Sequence, residues 1–350
     1  MDKKMFYKTS KRLIKRNPNI KITSSKSLVR LLSFLIFCSP VFASLKAIDS
    51  PTFTIGLLQI VAHPALDKTQ KGIVDGLQET YPTARIIVKT AQGNILNATM
   101  IAQKFVGEKV DVIAVLGTSA AQAAAKAAAK AAHATKTPVV FASITNPLGA
   151  KLVQSLDQPD GHVTGVSNYT AQTPQLLYFK ELIPNLEKIG FIYNPGEGNS
   201  VTLLEKTADA AKDLNISIVP VAVTKTTEVS MATQRLISQK VGAIFINNDN
   251  TALAAFDVIA QLCQSAQIPL FVSDTDMVEQ GALGALGPDQ YTLGLQCASI
   301  ILEILAGKNP RDIPVQFPER TERYLNKRVA EEISLNLLKE QLETIDKIIF

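Results

Sequence analysis

The chain has no tryptophan, three cysteines and three histidines among its 350 residues. Sugar sites usually stack rings on flat aromatics, so the absence of tryptophan makes a sugar the less expected ligand. None of the cysteines has the CxxC spacing of a redox or zinc motif, and His63, His133 and His162 show no metal-ligand spacing. No metal and no cofactor is expected. GxGxxG does not follow the first strand-like run and GxxxxGK[ST] does not occur, which removes a dinucleotide fingerprint and a P-loop. Charged residues are only 19% against 46% hydrophobic, enough apolar material for large cores.

Basic residues are concentrated at the start. Residues 1–43 hold ten Lys/Arg and one acid. Of 36 basic and 31 acidic residues, 26 and 30 remain beyond them, so the body is mildly acidic. That argues against a nucleic-acid partner. The basic stretch runs into Leu31–Cys38 and then Ser39-Pro-Val-Phe-Ala43, the pattern of a secretory signal cut before Ser44. Its apolar run is short for a membrane span. Phe37 before Cys38 argues against a lipid anchor, and the mature chain is expected in the periplasm. An exported chain could pair Cys263 with Cys297; each also lies in a helical pattern, where a free cysteine serves as a small hydrophobe.

Strand-like and helical patterns then alternate. Strands are expected at 54–60, 84–89, 110–116 and 138–143, with helices at 65–81, 94–107 and 120–134 between them. The order recurs. Ile189–Tyr193 resembles Ile55–Leu58, Val241–Ile246 matches Val110–Val115, and Ile268–Ser273 mirrors Thr137–Ala142, all offset by about 131 to 134 residues. Alternation of this kind predicts parallel sheets covered by helices. The fold expected is α/β, two similar Rossmann-like lobes. The tail 329–350 reads as a helix docked on the second lobe.

In open α/β sheets, ligands bind beyond the carboxyl ends of strands. Those ends are Gln59–Pro64, Gly117–Ser119, Ser143–Pro147, Tyr193–Pro195, Asn247–Asp249 and Ser273–Asp276. They are rich in hydroxyls, amides and carboxylates. Thr118 and Ser119 also suit a plain helix cap, and Asn247–Asn250 a turn.

The order of IGLLQIVAHPALD (55–67), GTSAAQ (117–122), SITNP (143–147), GVSN (165–168), NNDN (247–250) and GALGALG (281–287) resembles the type 1 (cluster B) periplasmic solute-binding proteins of ABC transporters. Within them it is closest in pattern to the subfamily associated with tryptophan or tyrosine. The resemblance spans roughly 52–328. It implies a three-stranded hinge, with one lobe at 52–167 plus 285–313 and the other at 168–284 plus 314–350. Asn168, Tyr169, 286–288 and 314–318 would be hinge segments. It implies capture of a small ligand, an amino acid, and delivery to a membrane ABC permease. The ligand carboxylate would meet Thr118, Ser119, Thr145 and Asn146 at a helix N-terminus. Asp249 and Asp274 would face the ammonium from the other lobe, and Asn248 is a further ligand-binding candidate. Gln59, His63 and Tyr193 would line the side-chain pocket.

Three rivals remain in view. An amino-acid racemase would need thiols at matching strand ends, where Ser119 and Asp249 stand instead, and no Ser-His-acid set is evident. A repressor effector domain would need a DNA-binding segment where the signal lies. A periplasmic sensor feeding a membrane receptor would share this pattern.

Overall fold

The computed structural model describes residues 52–131, 136–159 and 161–350. The expected signal segment, 1–43, and His133 fall outside them.

The chain runs β1 (Thr54–Gln59), α1 (Pro64–Thr80), β2 (Arg85–Thr90), α2 (Ile95–Gly107), β3 (Val112–Leu116), α3 (Thr118–Lys130), β4 (Val139–Ala142) and β5 (Val163–Gly165). It continues through α4 (Gln172–Leu182), β6 (Lys188–Tyr193), α5 (Gly198–Asp213), β7 (Ser217–Ala222), α6 (Val229–Ser238), β8 (Ala243–Ile246), α7 (Asn250–Leu253), α8 (Phe256–Ser265), β9 (Leu270–Val272) and β10 (Gly284–Gly287). It ends with α9 (Gln290–Leu305), β11 (Glu322–Asn326), α10 (Lys327–Glu332), α11 (Lys339–Glu343) and β12 (Lys347–Ile349).

The two halves of the chain build the same sheet. Strands pair in the order β2-β1-β3-β4-β5 in one sheet and β7-β6-β8-β9-β10 in the other. Every pair within these ten strands is parallel. β3 shows why: VIAVL is buried at every position, so both of its faces need helical cover. The helices supply it with one apolar stripe each. On α1, Ala65, Leu66, Thr69, Ile73 and Leu77 recur at helical spacing and all are buried.

The second sheet is longer than expected. β11 joins β10 antiparallel and β12 joins β11 in parallel. This corrects the reading of the tail as one helix. Ser334, at φ +59°, turns the chain after α10, and the β-branched run at Ile348–Ile349 becomes the edge strand.

The core of the first lobe draws on 53–166 and on 293–315, while the second lobe carries a core on each face of its sheet. The chain therefore crosses between lobes after β5, between β10 and α9, and before β11. Because β10 lies in the second sheet, the middle crossing comes after Gly287 rather than at 285. α9 returns to the first lobe at backbone contact with α1: a Cβ on Gly294 would stand 2.2 Å from the Thr69 carbonyl oxygen. Cys297 is buried in the first lobe and Cys263 in the second, and both are free thiols. Among the described residues, no helix is long and apolar enough to cross a membrane.

Candidate functional site

Both sheets change winding direction beside their first strand, at β1/β3 and at β6/β8. The carboxyl ends of those strands are where such sheets open a crevice. On the first lobe, β3 ends on Gly117, whose φ of +95° lies in the left-handed region. A Cβ there would stand 2.3 Å from Ile60 Cγ2, so glycine alone lets β1 and α3 approach this closely. No side chain caps α3, so its first N–H groups face outward without an intrahelical partner. At the end of β1, His63 caps α1: Leu66 N–H donates to Nδ1 at 3.4 Å. An accepting Nδ1 makes the ring neutral and leaves the hydrogen on Nε2. Burial pushes the His63 pKa down to about 4.

On the second lobe, β8 leads into Asn247-Asn-Asp-Asn250. Asp249 is 1% exposed and fully used. It accepts from Asn194 N–H at 2.6 Å, from Ser200 Oγ at 2.6 Å and from Ala252 N–H at 2.7 Å, capping α7. Burial and the nearby Glu197 raise its pKa, against the pull of those bonds. Glu197 in turn accepts from Asn250 Nδ2 at 2.5 Å and Thr251 Oγ1 at 2.7 Å. Asn199 Nδ2 donates to the Asn248 carbonyl at 2.7 Å. With its backbone held this way, Asn248 keeps a buried Oδ1 that has no partner among the described residues.

Between these walls lies a narrow cavity. His63, Thr118 and Ser143 face it from the first lobe, and Asn199, Asn248, Asn250 and Asp274 from the second. Asn168, from the first crossing, closes one side, and Ala65, Leu66 and Leu253 add apolar surface. Its free volume is about 20 Å³, room for one or two water molecules. A wider groove of about 500 Å³ opens beyond Asn250, lined by Ser119, Ile60, Ile95, Glu197 and Ala254 among others.

Three polar bonds cross from lobe to lobe around the cavity. Lys68 Nζ meets Asp276 Oδ1 at 2.8 Å, Gln290 Nε2 meets Asp274 Oδ1 at 2.5 Å, and His63 Nε2 meets Asn250 Oδ1 at 3.4 Å. Every donor belongs to the first lobe and every acceptor to the second. Asp274 is 3% exposed, and its second oxygen accepts no hydrogen bond from the described residues. Burial raises its pKa to about 7, with Asp276 adding repulsion and the Gln290 bond working against both. Asp276 is raised by burial, and Lys68 opposes this.

The expected site residues separate into groups. His63, Thr118, Asn248 and Asp274 lie on the cavity, and Ser119 on the outer groove. Gln59 is buried behind the wall, donating to the Val61 carbonyl at 2.8 Å and to Asp67 Oδ1 at 2.7 Å. Thr145 donates to Asn168 Oδ1 at 3.3 Å, and Asn146 accepts from Gly149 N–H at 2.9 Å within a turn. Tyr193 packs on the second core. Ser143, Asn168, Asn199 and Asn250 complete the walls without having been singled out as ligands. Ser143 stands in a strand-end segment and Asn250 directly follows one, and a position-by-position match of the two halves would have raised both. Among the described residues, no group of three His, Cys, Asp or Glu is placed to hold a metal.

The family described as ABC transporter substrate binding protein matches residues 54–348. A tyrosine-binding protein from Clostridioides difficile is 32% identical over 289 residues, 81% of each chain. A crystal structure of an ABC domain from Streptococcus pneumoniae in complex with L-Trp superposes with a TM-score of 0.80 at 32% identity, covering 85% of this chain and 100% of that one. The ligand-free, open structure of a substrate binding protein with adhesive properties from Clostridium difficile gives 0.63 at 25% identity, covering 85% and 99%.

Proposed function

We propose that this chain, which belongs to the ABC transporter substrate binding protein family, captures a free α-amino acid between its lobes and presents the closed complex to a membrane permease. The observation that carries the reading is the opposition of charge across the cavity. One wall holds the uncapped, electropositive start of α3 beside Thr118. The other holds the unpaired oxygen of Asp274 and the orphaned Oδ1 of Asn248. A carboxylate suits the first wall and an ammonium group the second.

Closure follows from the same geometry. A ligand held by both walls favours the state in which they meet. The chain superposes better on the L-Trp complex than on the open, ligand-free relative, and its cavity is nearly shut, which supports reading it as the closed state. The three crossings, near 166–171, 288–289 and 314–321, form the hinge in this reading. Residues 1–43 act as an export signal and the mature chain works outside the cytoplasm. No catalytic step is assigned.

The relatives point to an aromatic side chain: one is a tyrosine-binding protein and one was solved with L-Trp. Aliphatic residues would hold the ring here, Leu66 and Leu253 inside and Ile60, Ile95 and Ala254 in the outer groove. The test is thermal unfolding of Ser44–Phe350 against amino acids, sugars and small anions. Upward shifts with tyrosine or tryptophan, absent in Asp274→Ala, support the reading. Shifts with sugars alone, or with none of the amino acids, overturn it.

A further inference from the structure

Gln290 opens α9 directly after the middle crossing and is 1% exposed. It does not line the cavity, yet its amide is used at both ends. Nε2 donates to Asp274 Oδ1 at 2.5 Å, while Oε1 accepts from Thr69 Oγ1 at 3.0 Å and from Ser143 Oγ at 3.4 Å. The two hydroxyls are themselves 3.2 Å apart. A carboxylate only accepts, so the amide can face Asp274 with its NH₂ alone, and the carbonyl must then take the hydroxyls. Asp274 and Ser143 both border the cavity, one from each lobe.

We infer that Gln290 is a positioning residue for ligand recognition: it aims the Asp274 carboxylate at the ligand's ammonium group and ties that aim to lobe closure through Thr69 and Ser143. This rests on the amino-acid reading of the cavity. The bond to Gln290 occupies one oxygen of Asp274 and leaves the other for the ligand. It also opposes protonation of a carboxyl that burial and Asp276 both push toward the neutral form. The other charged groups nearby do not replace it. Lys68 of α1 is engaged by Asp276, and Asp289, which caps α9, carries the same sign as Asp274. In the open state the lobes part and the Gln290–Asp274 bond parts with them. The carboxylate is therefore held in its receiving geometry only as the cleft closes.

Gln290→Met keeps the length of the side chain and removes both donor and acceptor. Thr69→Val removes the hydroxyl that holds the amide carbonyl, and it too lies off the cavity. Affinity would be measured between pH 5.5 and 8.5 for tyrosine and for its des-amino analogue, which has the same ring and carboxylate but no ammonium. Losing a charge-assisted bond is expected to weaken tyrosine binding about tenfold in Gln290→Met, and about threefold in Thr69→Val. The analogue should change less than about twofold, since it makes no ammonium contact. The pH at which tyrosine binding falls to half should move upward in both variants. Equal losses for both compounds, or an unmoved pH midpoint, overturn the inference and leave Gln290 a space-filling residue of the crossing. If the wild type binds no amino acid, the reading of the cavity fails and this inference with it. If the wild type binds tyrosine and both variants discriminate as it does, the inference alone fails.

Discussion

Lys68 on α1 and Asp276, in the turn after β9, stand 2.8 Å apart across the cleft, the lysine side chain 46% exposed and the aspartate 7%. The pair forms only when the lobes meet. Solvent at the lysine end limits its direct worth. The aspartate end is different, because a buried carboxylate stripped of its partner is costly. Lys68→Met should therefore disfavour closure, weaken ligand binding about three- to tenfold and enlarge the ligand-free particle. Calorimetry and small-angle scattering would check this. An unchanged affinity with an unchanged radius would remove the pair from the closing mechanism.

Asp274 predicts a pH dependence of binding. With the lobes together, burial raises its pKa to about 7, and an ammonium ligand favours the ionised form. Above pH 7 the group is already ionised and affinity is flat; below it, binding must expel a proton and affinity falls about tenfold per pH unit. Asp274→Asn should bind weakly at every pH, with no slope. The stability of the empty protein goes the other way. Between the unfolded value of 3.8 and the folded value of about 7, the native state holds more protons, so stability drops as pH rises. At pH 8 ligand-free Asp274→Asn should melt at least about 2 °C above wild type. Melting at or below the wild-type temperature would show that the buried carboxylate is compensated.

His63 has the opposite sign. Its folded pKa is about 4 against 6.5 unfolded, so the unfolded chain takes up a proton first and stability is lost as pH falls from 6.5 to 4. Protonation would place a hydrogen on Nδ1 against the Leu66 N–H and uncap α1. Fully expressed, the shift corresponds to about 3 kcal/mol. Several carboxyls titrate in the same window, so the measurement is the difference between wild type and His63→Asn. Asparagine keeps a cap and loses the titration. The wild type should lose more stability than the variant between pH 7 and 4.5; parallel curves would show that His63 does not titrate in that window.

The two-lobed α/β plan was legible because it rests on repetition. The runs Val110–Val115 and Val241–Ile246 recur at a fixed offset, and parallel strands buried on both faces leave an unmistakable apolar signature. The tail was not legible, because α10, α11 and β12 are each too short to show a period. Strand ends marked out the site's neighbourhood, yet they do not say which way a side chain points. Gln59, Thr145 and Asp249 are buried behind the walls, holding loops in place, while their sequence neighbours His63, Ser143 and Asn248 face the cavity. Ser143 reaches it through a left-handed φ of +57°, a conformation that serine does not announce. Gln290 lies three residues beyond the GALGALG run, outside the strand-end segments singled out, and only the pairing of β10 beside β9 and the return of α9 bring it to Asp274.

Asp249 separates the two kinds of residue experimentally. Its three bonds hold the start of β6's following loop and the first turn of α7, and no oxygen is left facing the cavity. In Asp249→Ala the Asn194 and Ala252 N–H groups and the Ser200 hydroxyl lose a buried acceptor. The expected cost is about 2–4 kcal/mol, from one lost cap and further stranded donors. Melting should fall by roughly 3–6 °C. Ligand affinity should fall moderately, because Asn248 and Asn250 lose their support, while the preference for tyrosine over its des-amino analogue survives. Asp274→Asn should do the reverse, leaving the ligand-free fold intact and erasing that preference. Measuring melting temperature and the two affinities on both variants assigns the roles. If Asp249→Ala melts like wild type and loses the ammonium preference, the carboxylate that reads the ligand is Asp249, and Asp274 is the one that holds the turn.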